Sequence, residues 1–193
     1  MIKKVLLGLT ILVSVGMSKS PQNMTIVIQP FEGMPKEEVQ YVEREIKKIY
    51  PYIKVMEETP LQKKFMNSAK TRYRADLLIK DLNLKAKEGT CVIGLTNKDI
   101  STTKGKYADW GVMGLGYCPG NACVISNYRV KGKDRLEKLY KLSIHELGHT
   151  QGLPHCPSEG CIMQDAKGKD NFSKEYGFCK KCTKHLRNRN WKI

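Results

Sequence analysis

The chain has no apolar run long enough to cross a bilayer, no internal repeat, no low-complexity tract and no cysteine before Cys91. It is also short of acid, with 19 Asp+Glu against 34 Lys+Arg and a formal charge of +15. Each shortage excludes something. The run Val5–Val15 is eleven residues, whereas a spanning helix needs ~20. A first cysteine at position 91 rules out a lipid-anchored cysteine behind a cleaved leader. Without repeats, 193 residues suit one domain, or one domain with a small appendage. The basic excess favours acidic partners such as nucleic acid, an anionic envelope surface or acidic peptides. The lysines are dispersed in pairs (Lys47–Lys48, Lys63–Lys64, Lys180–Lys181), the pattern of a solvated face.

Residues 1–20 have the layout of an export signal. Lys3 and Lys4 precede the apolar run, and Gly16, Ser18 and Ser20 supply small residues for cleavage near 18–20. A periplasmic or secreted protein is expected, with residues 21–193 as the working domain. The competing assignment for Val5–Val15 is a buried strand.

Thr25–Gln29 reads as a first strand, and a helix runs from Pro35 to Tyr50 with Val39, Val42, Ile46 and Ile49 at helical spacing. Ile53–Met56 is a second strand candidate, Tyr73–Leu84 reads as helix, and Cys91–Thr96 reads as a buried strand. Asn97–Ala108 reads as loop, Trp110–Tyr117 as a glycine-punctuated strand and Ala122–Ser126 as another strand. Asp134 starts a long helix through Gln151, and the remainder is loop-rich and cysteine-rich. The order of strands, then helix, then a metal-rich tail predicts an α+β fold with a small C-terminal subdomain.

The segment His145-Glu146-Leu147-Gly148-His149-Thr150-Gln151-Gly152-Leu153-Pro154-His155 carries the chemistry. Two histidines four apart share one helix face and can grip one ion. Glu146 is rotated ~100° from His145, close enough to handle the proton of a metal-held water without replacing a ligand. Gly152 can take positive φ and turn the chain so that His155 returns to the metal. Three histidines leave a tetrahedral zinc one position for water. The extended pattern is the metzincin signature, which implies peptide hydrolysis.

Cys156, Cys161, Cys179 and Cys182 form C-x4-C and C-x2-C pairs. Such pairs mark a closed structural zinc site, for a total of two zincs. Two disulfides are the other arrangement open to an exported chain. A disulfide between Cys118 and Cys123, across the Pro119-Gly120 turn, is also open.

The run from His145 to His155-Cys156, then Cys161-Ile162-Met163 and Cys179-x-x-Cys182, resembles the archaemetzincin family. Thr25-Ile26-Val27-Ile28, Tyr73-Arg74-Ala75-Asp76, Ile93-Gly94-Leu95-Thr96 and Val124-Ile125-Ser126 extend the resemblance over about residues 24–185. It implies a zincin-like metzincin domain with a twisted mixed β-sheet, an active-site helix and a small zinc-bearing C-terminal subdomain, zinc peptidase chemistry, a peptide or protein substrate, and Met163 as the Met-turn residue beneath the metal. Cys91, Cys118 and Cys123 are outside the family pattern. Tyr176 and His185 are weak candidates for a transition-state donor.

The strand Gly111-Val112-Met113-Gly114-Leu115-Gly116 is the expected substrate edge, with glycines that let a peptide approach. A catalytically weak peptide-binding module of the same fold is the alternative function. A nucleic-acid-binding zinc protein rests on charge and cysteine pairs alone and is not expected. A monomer is expected.

Overall fold

The computed structural model describes residues 23–166 and 172–193. The export signal expected at residues 1–20 lies outside them. A five-stranded sheet forms the centre, in the order β2 (Ile53–Val55), β1 (Thr25–Pro30), β4 (Thr90–Thr96), β8 (Ala122–Ser126) and β7 (Gly114–Gly116). The first four strands are mutually parallel, and β7 closes one edge antiparallel to β8. Parallel strands need helical crossovers and covered faces. Accordingly β1, β4 and β8 read as near-continuous apolar runs, and β8 is buried throughout.

Alternation along the strands divides the core between the two faces. Ile26, Ile28, Cys91, Ile93, Leu95, Cys123 and Ile125 point to one side. There they meet α1 (Lys36–Ile49) and α3 (Arg135–Thr150) through Val42, Ile46, Leu139 and Leu147. Val27, Val92, Ala122 and Val124 point to the other, against α2 (Ala75–Lys85) through Ala75, Leu78, Ile79 and Leu82. On that side Gly94 admits Leu82 and Phe31, whose atoms would lie 2.8 and 3.0 Å from a Cβ at this position.

The start of α3 is anchored by a buried acid. Glu38 on α1 accepts from Asn127 Nδ2 at 2.6 Å and is paired with Arg135. Burying this carboxylate is tolerable because both partners satisfy it.

Three sequence expectations need correction. Asn97–Ala108 is not loop: β5 (Ile100–Lys104) and β6 (Tyr107–Val112) form a hairpin that turns at Gly105, φ +55°. With β3 (Tyr73–Arg74) they make a second, three-stranded sheet. The hairpin is half exposed and held by backbone pairing, so the apolar alternation that would have announced it is weak. Trp110–Tyr117 is not one strand either. Val112 pairs with Ile100 in the small sheet, the chain breaks at Met113, and Gly114 pairs with Ile125 in the large one. In the tail, α4 (Lys180–Arg187) is a helix whose alternating basic surface masks its buried Cys182 and Leu186.

Candidate metal centres

The last two turns of α3 deliver His145 and His149 side by side. Gly152 takes φ +88°, as its place after the helix requires, and the turn brings His155 back toward them. The ligand-capable nitrogens of all three lie within 4.8 Å of one another. Backbone carbonyls fix the ring tautomers. His145 Nδ1–H donates to the Ile162 oxygen at 2.6 Å, and His149 Nδ1–H donates to the Leu153 oxygen at 2.7 Å. A carbonyl can only accept, so the proton sits on Nδ1 and each Nε2 presents a bare lone pair.

Those two Nε2 atoms face each other at 3.1 Å. Burial and the neighbouring His149 push His145 down to about 4, and burial lowers His149, so both rings are neutral near pH 7. Two lone pairs at that separation repel unless a cation lies between them. A tetrahedral zinc with Zn–N of ~2.0–2.1 Å sets nitrogens about 3.3–3.4 Å apart, so the residues present fit zinc. Histidines that bind metals through one ring nitrogen commonly donate from the other to such a carbonyl.

Glu146 is buried, and burial pushes its carboxyl up to about 8. A divalent cation nearby acts in the opposite sense. Its place is set by β7. A Cβ on Gly114 would lie 2.5 Å from Glu146 Oε1, and one on Gly116 would lie 2.9 Å from the Glu146 carbonyl oxygen. The glycines expected to admit substrate are therefore already required by the glutamate beneath them. Gly111 and Val112 line the same cleft from β6, and Met113 from the link. The cleft has a volume of about 580 Å³ and also receives Leu115 and Gly116.

Met163 is fully buried, with its Sδ 2.5 Å from where a Gly148 Cβ would stand. Only glycine at 148 lets this methionine pass under the helix. The Met163 carbonyl accepts from Cys156 N at 2.7 Å, binding the turn at Met163 to the residue after His155.

Cys156, Cys161, Cys179 and Cys182 gather their sulfurs within 4.8 Å. Cys156 Sγ lies 3.7 Å from Cys179 Sγ, and Cys161 Sγ lies 3.9 Å from Cys182 Sγ. Disulfide sulfurs would be ~2.05 Å apart. Zn–S bonds of ~2.3 Å in a tetrahedron put sulfurs about 3.8 Å apart, so the cluster fits a closed zinc site. Cys179 stands at the N-cap position of α4, where the Cys182 backbone N–H is the main influence that lowers its thiol to about 6. Burial pushes Cys161 and Cys182 up.

None of the seven cysteines is paired in a disulfide, so the Cys118–Cys123 bridge is not formed. Cys123 is buried in the core, while Cys118 Sγ donates to the Leu153 carbonyl at 3.4 Å. Neither weak donor candidate faces the cleft. Tyr176 is 88% exposed, and His185 Nε2–H donates to the Gln151 carbonyl at 2.8 Å, tying α4 to the end of α3. Sequence reasoning missed the cleft residues Lys104, Arg129, Lys138, Phe172 and Glu175, which no motif connects.

The chain matches peptidase family M54 over residues 34–188. It is 34% identical over 119 residues to the archaemetzincin of Methanopyrus kandleri, covering 60% of this chain and 66% of that protein. It is 28% identical over 177 residues to the archaemetzincin of Haloquadratum walsbyi, covering 84% and 99%. Among solved structures, archaemetzincin from Methanopyrus kandleri superposes with a TM-score of 0.74 at 27% identity, over 93% of this chain and 99% of that one. Archaemetzincin from Archaeoglobus fulgidus, complexed with malonate, gives 0.72 at 23% identity, over 84% and 99%, and speaks to the fold alone.

Proposed function

The chain belongs to peptidase family M54, the archaemetzincins, and is a zinc metallopeptidase; from that premise we propose that it hydrolyses peptides at the three-histidine cluster, with Glu146 as the proton carrier. The observation that carries this reading is the pair of bare Nε2 lone pairs 3.1 Å apart in the cleft that Glu146 also lines. His145, His149 and His155 would hold the catalytic ion. Zinc, when bound, polarises the scissile carbonyl and makes a water acidic, with a pKa of ~7. Glu146 takes the proton of the attacking water and passes it to the departing amine. Burial suits this work, since a carboxylate kept from bulk water binds the proton more readily. β7, the antiparallel edge strand, pairs with the substrate backbone along Gly114–Gly116.

Cys156, Cys161, Cys179 and Cys182 would hold a second, structural zinc. Closed on four thiolates, it offers no position for water, and its role is to hold α4 and the Met-turn together. The protein acts as a monomer in this reading, with its basic surface available to anionic envelope surfaces.

The test is a peptide-library digest with zinc-loaded protein, repeated after mild chelation. Cleavage that disappears on chelation and returns with zinc supports the reading. A fully loaded protein that binds peptides but cuts none would move it to the binding-module alternative.

Export is proposed on the layout of residues 1–20 alone. Intact-mass measurement of the exported product is expected to show a start near Lys19. Full-length protein confined to the cytosol would overturn it.

A further inference from the structure

Arg129 follows β8 and lines the cleft. Asp99 holds it by a two-point fork, Nε to Oδ1 and Nη2 to Oδ2, both at 2.8 Å. Arg72 Nε grips the same carboxylate at 2.8 Å and reaches Asp109 at 3.0 Å. Beneath the guanidinium is Gly111, where a Cβ would stand 2.4 Å from Nη2 and 2.7 Å from Cζ. Any side chain at 111 would lift the arginine from its seat.

The fork occupies Nε–H and one hydrogen of Nη2. Nη1 and the second Nη2 hydrogen leave three N–H donors on a side chain that is 36% exposed. A guanidinium pinned in advance loses little further freedom on binding an anion. The other charged groups lining the cleft are committed elsewhere. Lys138, Asp165 and Glu175 are each engaged within the chain, Glu146 belongs to the metal centre, and Lys104 Nζ lies over the Trp110 ring at 5.3 Å. Arg72 and Arg129 balance Asp99 and Asp109 in formal charge, so what Arg129 offers is directional donors, and the flat paired donors of a guanidinium match a carboxylate.

We propose that Arg129 is a specificity residue that takes a substrate carboxylate on the C-terminal side of the bond cut. The proposal rests on the peptidase reading of the cleft and on β7 as the substrate edge. A substrate strand antiparallel to β7 runs from the Gly116 end toward Gly114, so its C-terminal half continues toward Gly111. Gly111 precedes Gly114 by three residues with a break at Met113, so it lies at most about 10 Å away at ~3.3 Å per residue. The carboxylate therefore belongs about two to four residues beyond the scissile bond, as an Asp or Glu side chain or as the free C-terminus.

The test uses zinc-loaded full chain and paired peptides with Glu or Gln two to four residues after the cut, each with a free or an amidated C-terminus. Both kcat/KM and peptide affinity are measured, the latter from Trp110 fluorescence. The other tryptophan, Trp191, is 2% exposed and gives a constant background. Hydrogen bonds to a charged group predict a preference of about 10-fold or more for the carboxylate-bearing member. Dependence on the side chain or on amidation tells which carboxylate is read. Arg129→Met is expected to reduce the ratio to about 2-fold or less. Gly111→Ala, which keeps the arginine and removes its seat, is expected to erode it as well. No carboxylate preference in the unmodified protein, or an undiminished one in folded Arg129→Met, overturns the proposal. Should hydrolysis be missing from every peptide, the peptidase reading falls while the affinity ratios still decide the role of Arg129.

Discussion

Glu146→Ala keeps the metal content of the unmodified protein and lowers hydrolysis of a verified peptide by at least ~10²–10⁴-fold, the usual contribution of a placed proton-transfer group. Glu146 donates no atom to the three-histidine cluster, so its removal leaves every metal-facing nitrogen in place. The fold should survive too, because the side chain sits against glycines 114 and 116 and makes no salt bridge among the described residues. His149→Ala gives the opposite profile. It removes one of the two facing Nε2 atoms, so metal content itself falls by one equivalent. Metal analysis beside kcat/KM on both variants separates the roles. Hydrolysis that persists in Glu146→Ala would show that another group handles the proton.

Cys182→Ser loses one equivalent of zinc and unfolds well below the unmodified protein. Loss of a structural metal belongs to the class of changes worth more than about 4 kcal/mol. At about 2–4 °C per kcal/mol for a chain of this size, the thermal midpoint falls by roughly 8–16 °C. The effect reaches the catalytic centre because the two clusters share a backbone. His155 and Cys156 are consecutive, and the Ile162 carbonyl that orients His145 lies between Cys161 and Met163. Peptide hydrolysis should therefore decline together with the second zinc. Cys118→Ser, outside the cluster, is the control and should change metal content by nothing. Two zincs retained in Cys182→Ser would refute the four-cysteine assignment.

The gathering of His145, His149 and His155, and of the four cysteines, was legible because the chemistry of a shared ion forces spacing. Histidines that share an ion must recur at a helical interval, and a turn that returns a third needs positive φ, met here by Gly152. Buried parallel strands such as β4 and β8 announce themselves by unbroken apolar composition. The β5–β6 hairpin did not, since Ser101 to Lys104 pair through their backbones. Nor did the break at Met113, where the chain leaves one sheet for another with no change in composition. Arg129 was illegible for a different reason. Its meaning depends on Asp99 and Gly111, which lie 30 and 18 positions away, and only the folded chain sets them together.

Every side chain of the two metal-fitting clusters lies between His145 and Cys182, beyond the last strand of the large sheet. During synthesis the whole β-framework is therefore made before any of these ligands. At about 5–20 residues per second, the interval from the first ligand to the last takes a few seconds. The four-cysteine cluster, which draws Cys182 from α4, can therefore be completed only after all three histidines of the other cluster have been made.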